Sequence, residues 1–333
     1  MTNYKPPYTI TNKMLKYVAS ISEKVGNLGS YGHLDTKPYL RKNNRIKSIH
    51  SSLKIEANSL SLSEVRDVLN GRTVLGDRRE IQEVKNAYKA YEAIKKVNPY
   101  YVDDLKKIHG IMTAGIMHES GDFRRGEEGV FSGETCIFVA PPPNMVPELM
   151  GDLFAWMRDN KDVIHPLILS AIFHYEFVFI HPFADGNGRM ARLWHTVLLY
   201  QWRDIFEYIP LESQIEKFQG EYYSVIATCH GNGNSDVFIE FMLEQIDKIL
   251  EEVTEQLKKA ESNISESVKR MLDVMEYDVP YTAVAIMGKL GIKSRETFRK
   301  NYMNPALELG IVKMTIPDNR HFRNSRNGSA YVQ

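Results

Sequence analysis

The sequence predicts a mainly α-helical fold, a helical bundle that carries one β-hairpin, followed by a C-terminal winged helix-turn-helix. Three observations carry this prediction. Apolar residues recur at intervals of three and four along most of the 333 residues, which is the period of amphipathic helices. The segment 129–143 instead alternates β-prone residues around a short turn and ends in three prolines, which is a hairpin pattern. Residues 265–333 contain three short helical stretches and then two β-prone stretches.

The individual helices are predicted from apolar periodicity, and in the C-terminal part also from their ends. There, Gly291 separates two helical stretches, and Ser294 is a favoured N-cap for the second of them. The predicted helices are 12–25, 45–58, 63–70, 80–97, 102–117, 146–158, 166–179, 189–202, 215–230, 237–259, 265–275, 282–290 and 294–303, and the predicted strands lie in 130–139, near 311–316 and near 330–332.

The length of the chain favours two or three structural units. We expect an N-terminal helical region at 1–97, a core unit at 98–245, a charged linker helix at 246–264 and a winged-helix-like domain at 265–333. Lys plus Arg equals Asp plus Glu at 42 each, so the net charge indicates neither nucleic-acid nor membrane binding. Residues 265–333 alone hold 11 Lys and Arg against 7 Asp and Glu, an excess of four positive charges.

The composition also indicates a cellular compartment. The chain has only two cysteines, Cys136 and Cys229, in no metal-binding or redox spacing, which is typical of a reducing compartment. The N-terminal residues MTNYKPPYTI show no signal-peptide pattern. The most apolar window, 166–180, is too short to span a bilayer and contains His174 and Glu176. We therefore expect a cytoplasmic protein with no membrane partner.

The stretch FIHPFADGNGRMARLWHTVLL, residues 179–199, concentrates reactive and charged side chains. Pro182 must break the apolar helix that precedes it. Gly186, Asn187 and Gly188 then form a turn with little side-chain bulk that leads into the next helix. Such a turn leaves backbone N–H groups free at the positive end of the helix dipole. The sequence therefore predicts an anion-binding site at this helix N-terminus.

Charged residues around this turn indicate which anion binds. Arg189 and Arg192 are three residues apart on one side of the helix, and two guanidinium groups suit a polyphosphate. Asp185 would repel phosphate unless a cation lies between them, which predicts Mg²⁺. His181 is the group here that accepts a proton near neutral pH. Together these residues predict nucleotidyl or phosphoryl transfer with a histidine base.

The segment HPFADGNGRMAR, residues 181–192, resembles the full motif of the Fic family, HPFxDGNGRxxR, with every defined position filled. The resemblance extends over roughly residues 1–245 and includes HYEFVFIHPF, the VAPPP exit of the hairpin and EYYSVI after the motif. It implies a helical fold and transfer of AMP from ATP, with Mg²⁺, to a Ser, Thr or Tyr hydroxyl. ATP and a protein target, or the chain itself as target, are the expected partners.

Carried over residue by residue, the resemblance implies a role for each position of the motif loop. His181 would deprotonate the attacking hydroxyl, and Asp185 would hold Mg²⁺ between the α- and β-phosphates. Asn187 and the amides of Gly186 and Gly188 would cradle those phosphates.

The same resemblance assigns the arginines and the adenine pocket. Arg189 would support the α- and β-phosphates, and Arg192 would bind the γ-phosphate. Tyr222 and Tyr223 resemble residues that border the adenine. His230 stands where some relatives carry an adenine-contacting Asn.

The hairpin resembles the flap of the Fic family, which holds a target segment by strand addition beside the α-phosphate. Phe183, within the motif, would pack the loop on the core. The hairpin residues expected to bind the target are Val130, Phe131, Ile137, Phe138 and Val139.

A further feature of the sequence is a helix face that ends in a carboxylate. On a helical wheel Ile46, Ile49, Leu53 and Glu56 fall within a narrow arc. A carboxylate that is buried must find a cation. Periodicity alone fits a solvated helix end equally well.

This helix also resembles the inhibitory helix of some Fic proteins, with the motif Ser/Thr-xxx-Glu-Gly/Asn. Ser52 and Glu56 match this motif, while Ala57 stands where Gly or Asn is usual. The resemblance implies that Glu56 pairs with Arg192 and displaces the γ-phosphate, so that basal activity is low. In some relatives the same glutamate positions a water that removes AMP, and AMP removal therefore stays an alternative.

Two other functions also stay open from the sequence. The same fold supports transfer of another nucleotide, of phosphate or of phosphocholine. A nucleotide-sensing regulator that binds DNA is an alternative of a different class, with Arg295, Arg299 and Lys300 on an exposed helix face. The target protein and its modified side chain do not follow from the sequence, nor does the choice between monomer and homo-oligomer.

Overall fold

The computed structural model of the chain describes residues 4–30, 38–132, 135–263, 265–275, 281–309, 312–314 and 329–332. Two compact units are present. The first comprises Met1–Val25 and Asn44–Leu250, and the second comprises Gly26–Asn43 and Glu251–Gln333. Most of the described residues are helical, as the sequence predicts. None of the described helices is both long and apolar enough to cross a membrane.

Every helix predicted before residue 264 has an observed counterpart. The observed helices are α1 (Asn12–Ser30), α2 (Pro38–Ile55), α3 (Leu62–Leu69), α4 (Arg78–Ala93), α5 (Val102–Met112), α6 (Val146–Asn160), α7 (Pro166–Ile180), α8 (Asn187–Trp202), α9 (Leu211–Lys217), α10 (Gln219–Asn232) and α11 (Asp236–Asn263).

Several predicted helices differ in extent from the observed ones. For example, α2 begins at Pro38 and not at 45, and two predicted helices contain breaks. The helix predicted at 102–117 ends at Met112, where Thr113 leaves helical geometry and its hydroxyl donates to the carbonyl of His109. The helix predicted at 215–230 is divided into α9 and α10, because Phe218 has φ −113° and ψ 33°. Apolar spacing continues through both breaks, so periodicity does not reveal them.

The centre of the first unit is formed by α7 and α8, which pack against each other. α7 is apolar on all sides and almost entirely buried, as expected of a helix in the middle of a core. α8 contributes Met190, Leu193, Trp194 and Val197, each of them 0% exposed. The loop that joins the two helices carries the HPFxDGNGRxxR motif, so the most deeply buried helices of the unit fix its position.

The predicted hairpin is present between α5 and α6. Its strands, β1 (Gly129–Ser132) and β2 (Thr135–Val139), pair antiparallel with a bulge between Val130 and Phe131. The tip, residues 133–134, lies outside the described residues.

The second unit has its own core, formed by Val268, Met271, Ile286, Phe298 and Ala306. β5 pairs antiparallel with both β3 and β4. The elements of this unit are α12 (Glu266–Asp273), β3 (Tyr281–Thr282), α13 (Ala283–Leu290), α14 (Arg295–Phe298), α15 (Asn304–Glu308), β4 (Val312–Met314) and β5 (Ser329–Val332). The short helices and the two C-terminal strands agree with the elements predicted here, while the third strand, β3, precedes α13.

The sequence predicts this unit less completely than the first. The helix predicted at 294–303 is α14 and a π-helical turn, Arg299–Met303, which leads into α15. The two-residue strand β3 was not predicted, because two residues are too few to show an alternating pattern. Residues 311 and 315–316 of the predicted strand lie outside the described residues.

Candidate active site

The loop between α7 and α8 has a backbone conformation that few residues adopt. His181 follows the last residue of α7 with φ 51° and ψ 59°, and Gly186 precedes α8 with φ 83°. The left-handed region costs a non-glycine residue about 1–3 kcal/mol, and such strain persists only where the surrounding structure holds it. Strained residues are common at active sites. The strained backbone therefore indicates a functional role for His181, independently of the sequence motif.

The imidazole of His181 is arranged to accept a proton. Its Nδ1 lies 3.4 Å from the carbonyl oxygen of Val178, and a carbonyl can only accept, so this contact assigns the ring proton to Nδ1. Nε2 then keeps its lone pair. Burial lowers the pKa of His181 below its ordinary value of 6.5, and the positive charge of Arg124 contributes to the lowering. The ring is therefore uncharged at neutral pH and competent as a base.

The side chain of Asn187 closes the loop. Its Oδ1 accepts from the amide of Phe183 at 2.9 Å, and its Nδ2 donates to the carbonyl of Phe183 at 2.6 Å. The resemblance assigns Asn187 to the phosphates, but the structure directs its side chain to Phe183. Any effect of this side chain on a phosphate would come through the shape of the loop.

His109 on α5 packs against the loop between α7 and α8. This residue was not predicted from the sequence. Its ring stacks on Phe183 with 3.6 Å between ring centroids. Its Nδ1 accepts from the amide of Gly121 at 2.9 Å, so the proton lies on Nε2, which donates to the carbonyl of Asp185 at 3.0 Å. Burial lowers the pKa of His109 to about 4, and the ring stays neutral. His109 thus fixes the backbone of Asp185.

Glu56 and Arg192 form an ion pair at the start of α8. Oε1 of Glu56 lies 2.8 Å from Nη2 of Arg192, whose side chain is 1% exposed. Ser52 on α2 binds the same guanidinium group, because its Oγ accepts from Nε at 3.2 Å and its carbonyl oxygen accepts from Nη2 at 2.9 Å. Leaving a buried charge without a partner is destabilising, because the charge is poorly solvated and uncompensated. Arg192 therefore requires an anion beside it, and Glu56 is that anion here.

The carboxylate of Glu56 occupies the space beside Gly188. A Cβ atom on Gly188 would collide with Oε1 of Glu56 and would come within 3.1 Å of Nη1 of Arg192. Gly188 is the second residue of α8, where backbone N–H groups have no partner within the helix. The chain's own carboxylate thus stands at the anion site that the sequence predicts.

The end of α2 determines where Glu56 points. α2 ends at Ile55, and Ala57 has φ 65°, a left-handed conformation. The amide of Asn58 donates back to the carbonyl of Leu53 at 3.1 Å, which closes the turn around Glu56. Gly or Asn usually fills a left-handed position after a helix, so Ala57 is strained where the inhibitory motif has Gly or Asn.

Asp185 belongs to a closed ring of four charged groups. Its Oδ1 lies 2.9 Å from Nη2 of Arg189, and its Oδ2 lies 3.0 Å from Nη2 of Arg79 on α4. Glu83 completes the ring at 3.5 Å from Arg189 and 3.6 Å from Arg79. The side chains of Asp185 and Arg79 are 38% and 61% exposed, so a cation from solvent has access to this carboxylate.

The chemistry of Asp185 fits Mg²⁺. This ion prefers oxygen ligands and is usually bound by one or two carboxylates together with substrate phosphates and water. Asp185 supplies a carboxylate next to the predicted phosphate site, and this carboxylate is already in contact with two cationic groups.

The residues assigned to the adenine pocket differ in accessibility. Tyr222 is 2% exposed, and its hydroxyl lies 3.0 Å from Nε2 of His174 in the core. Tyr223 is 46% exposed. His230 is half-buried, and its Nε2 has no hydrogen-bond partner among the described residues. Tyr223 is therefore accessible to a ligand, whereas Tyr222 faces the interior and Nε2 of His230 is buried.

Phe138 on β2 of the hairpin contacts His230, one of the residues assigned to the adenine pocket. The ring of Phe138 stacks on His230 at 4.3 Å and packs on Phe179 at 5.4 Å between centroids. Val139 is 68% exposed. The side chains of Val130, Phe131 and Ile137 lie outside the described residues.

The fold and the site together define a class of protein, a helical domain in which a strained histidine and an anion-binding helix N-terminus share one loop. Residues 99–199 match the family model described as the Fic/DOC family. Residues 266–326 match the model described as filamentation induced by cAMP protein Fic-like, C-terminal domain.

Solved structures place the chain in the same family. A Fic family protein from Desulfovibrio desulfuricans G20 is 38% identical, with 99% of this chain and 98% of that chain covered and a TM-score of 0.73. The chain therefore belongs to the Fic family. Fic-1 from Caenorhabditis elegans has a similar fold, with 24% identity, 76% of this chain and 74% of that chain covered, and a TM-score of 0.60.

Curated relatives carry names that state an activity. Protein adenylyltransferase Fic of Aedes aegypti is 29% identical over 216 residues, 62% of this chain and 41% of that protein. Protein adenylyltransferase fic-1 of Caenorhabditis elegans is 26% identical over 282 residues, 78% of this chain and 53% of that protein. The chain thus spans about half the length of these curated relatives.

Proposed function

We propose that the protein is an adenylyltransferase that transfers AMP from ATP to a hydroxyl of a target protein or of itself, and that Glu56 inhibits it. The observation that carries this proposal is the pairing of Glu56 with Arg192 beside Gly188. It supports an anion site at a helix N-terminus that the chain keeps filled with its own carboxylate. The names of the curated relatives support adenylyl transfer as the reaction.

In this proposal the phosphates of ATP take the place of the carboxylate. The amides at Gly186 to Gly188 and the guanidinium of Arg189 bind the α- and β-phosphates. Arg192 binds the γ-phosphate once Glu56 has left it. Mg²⁺, when bound at Asp185, reduces the negative charge of the phosphates.

His181 performs the proton transfer. Its Nε2 accepts the proton of the attacking hydroxyl while the hydroxyl oxygen forms a bond to the α-phosphorus. The bond between the α-phosphorus and the oxygen that bridges to the β-phosphate breaks. Pyrophosphate leaves, and AMP stays on the hydroxyl oxygen. The neutral ring that burial favours is the form that this step requires.

Inhibition follows from competition for Arg192. While Glu56 holds the guanidinium, the γ-phosphate is displaced and ATP binds in an unproductive position. A coupling of this kind is worth about 1–3 kcal/mol, which corresponds to about 5- to 150-fold in the affinity for productively bound ATP. Basal activity is therefore low.

Intact-mass spectrometry after incubation with ATP and Mg²⁺ tests the proposed reaction. We expect the mass of one AMP on the Glu56→Gly variant, or on a lysate protein offered to it. Wild type should transfer much less, and Glu56→Gly combined with His181→Ala should transfer none. A phosphate mass, a preference for CTP, GTP or UTP, or no transfer by Glu56→Gly would contradict the proposal.

A further inference from the structure

Arg124, in the segment between α5 and β1, is a buried arginine to which neither the motif nor the proposed chemistry assigns a role. It is 2% exposed. Its guanidinium group donates to four main-chain carbonyl oxygens from three separate segments. A buried charged group that is used in this way holds backbone segments in fixed relative positions.

One set of these contacts holds the loop that carries His181. Nε of Arg124 donates to the carbonyl of His181 at 2.7 Å, and Nη2 lies 3.4 Å from the carbonyl of Ile180. The backbone amide of Arg124 donates to the carbonyl of Pro182 at 2.9 Å. Three successive carbonyls around the left-handed residue therefore accept from Arg124. These bonds are the kind of support that a strained conformation needs.

The other set of contacts holds the base of the hairpin. Nη1 of Arg124 donates to the carbonyl of Gly126 at 2.8 Å, before β1, and Nη2 donates to the carbonyl of Pro141, after β2. The amide of Ala140 donates to the carbonyl of Glu128 at 3.0 Å and closes the hairpin at this end. One planar group thus joins both ends of the hairpin to the loop of His181.

We propose that Arg124 is a positioning residue that sets the distance between the imidazole of His181 and the acceptor hydroxyl presented at the hairpin. This inference rests on the proposed function. A general base must come within about 3 Å of the proton that it removes, and a displacement of about 1 Å can cost about 100-fold in rate. The phosphate site depends on other contacts, those of α8 with α2 and α4. Among the described residues, Arg124 contacts no side chain assigned to the phosphates, so it acts on the rate of transfer more than on nucleotide affinity.

The geometry requires arginine at this position. The guanidinium presents five N–H donors in one plane, which allows it to reach carbonyls on opposite sides. Lysine carries the same charge on a single nitrogen and cannot bridge both sets of carbonyls. Glutamine keeps two N–H donors but removes the charge, and with it one cause of the lowered pKa of His181.

The test compares Arg124→Lys and Arg124→Gln in the Glu56→Gly background, with Arg125→Lys, an exposed neighbour, as the matched control. Two quantities are measured, the affinity for ATP with Mg²⁺ and the single-turnover rate of AMP transfer as a function of pH. We expect ATP affinity within about twofold of the parent in all three variants, and a rate about 10- to 100-fold lower in both Arg124 variants only. The acid limb of the rate profile should move to higher pH in Arg124→Gln, and stay in place in Arg124→Lys, because only the first removes a positive charge near His181.

The other outcomes would reject either the role of Arg124 or the proposed function. A rate within about twofold of the parent in Arg124→Lys overturns the inference, and so does a parallel loss of ATP affinity in that variant, which would indicate a purely structural role. If Arg124→Gln does not fold, Arg124→Lys decides by the same criterion. A parent variant that binds ATP but transfers no AMP rejects the proposed function itself.

Discussion

At the scale of single residues, the site depends on which anion neutralises Arg192. The guanidinium is buried and is also held by two contacts with Ser52. Glu56 follows the last residue of α2 and is 37% exposed, so it is the more accessible partner of the pair. The two residues therefore have different roles. Arg192 is a cation held in place by Ser52, and Glu56 is an anion that a ligand can replace.

The Glu56→Gln substitution tests these roles, because it removes the charge of the side chain and keeps its size nearly constant. The neutral amide binds Arg192 more weakly than the carboxylate, so the rate of AMP transfer should rise by about 5- to 150-fold. Glu148→Gln, on the exposed first turn of α6, is the matched control and should leave the rate unchanged. Equal rates for Glu56→Gln and wild type would contradict the inhibitory pairing.

The protonation of His181 gives a prediction about pH. Only the neutral ring accepts a proton, so the rate should fall as the pH falls through the pKa of His181. Burial lowers this pKa, and the fall is therefore expected below pH 6.5. The charge of Glu56 raises the same pKa, so its removal should move the fall further towards acid. A single-turnover profile of Glu56→Gln that falls above pH 6.5 would exclude His181 as the base.

At the scale of secondary-structure elements, α2 and α4 bring charged groups to the start of α8 from distant positions in the chain. The end of α2 presents Glu56 to Arg192, and α4 presents Arg79 and Glu83 to the loop. The positions of these two helices therefore determine which charged side chains surround the start of α8.

The strained end of α2 predicts a substitution that strengthens inhibition. Ala57→Gly removes the cost of a left-handed alanine, about 1 kcal/mol, and should raise thermal stability and lower basal transfer. Ala93→Gly, at a right-handed position at the end of α4, should instead lower stability. Differential scanning calorimetry and the mass assay measure the two effects. A loss of stability in Ala57→Gly would contradict the assigned strain.

The ring around Asp185 predicts the effect of removing Arg79. Arg79 holds Oδ2 of Asp185, so Arg79→Ala should lower the Mg²⁺ concentration needed for half-maximal nucleotide binding by about two- to fivefold, the scale of an exposed ion pair. Arg78→Ala, on the same turn of α4, is the matched control and should not change it. Fluorescence titration of a nucleotide analogue measures binding without catalysis. A higher Mg²⁺ requirement in Arg79→Ala would show that Arg79 assists the ligand.

At the scale of the whole molecule, buried neutral histidines make the stability of the folded chain depend on pH. Burial lowers the pKa of His109 to about 4 and of His195 to about 3. Both accept protons more readily in the unfolded chain, so their contribution to stability is present above pH 6.5 and is lost as the pH falls towards these values. The shift of His109 corresponds to about 3 kcal/mol, at about 1.4 kcal/mol for each pKa unit.

Urea unfolding from neutral to acidic pH measures this contribution. His109→Gln should lower the free energy of unfolding at neutral pH and also reduce its dependence on pH. His118→Gln, at an exposed position, should leave the dependence unchanged. An unaltered pH dependence in His109→Gln would contradict the buried neutral state.

The sequence predicts those parts of the site that are continuous in the chain. Residues 181–192 combine a helix break, a glycine turn and charged side chains, and each has a local physical signal. Arg124, His109 and Arg79 contact this loop from 57, 76 and 106 positions away, and no local pattern distinguishes them from other charged or aromatic residues. The periodicity of α2 left Glu56 either solvated or paired, and only the tertiary structure brings it to Arg192.

The central claim is that Glu56 stands where the γ-phosphate binds, and a comparison of ATP with ADP tests it most directly. Calorimetric titration of both nucleotides with Mg²⁺ into wild type and Glu56→Gln gives four affinities. The account predicts that the substitution strengthens ATP binding by about 5- to 150-fold and changes ADP binding by less than about twofold. An equal gain for both nucleotides, or none for ATP, would contradict it.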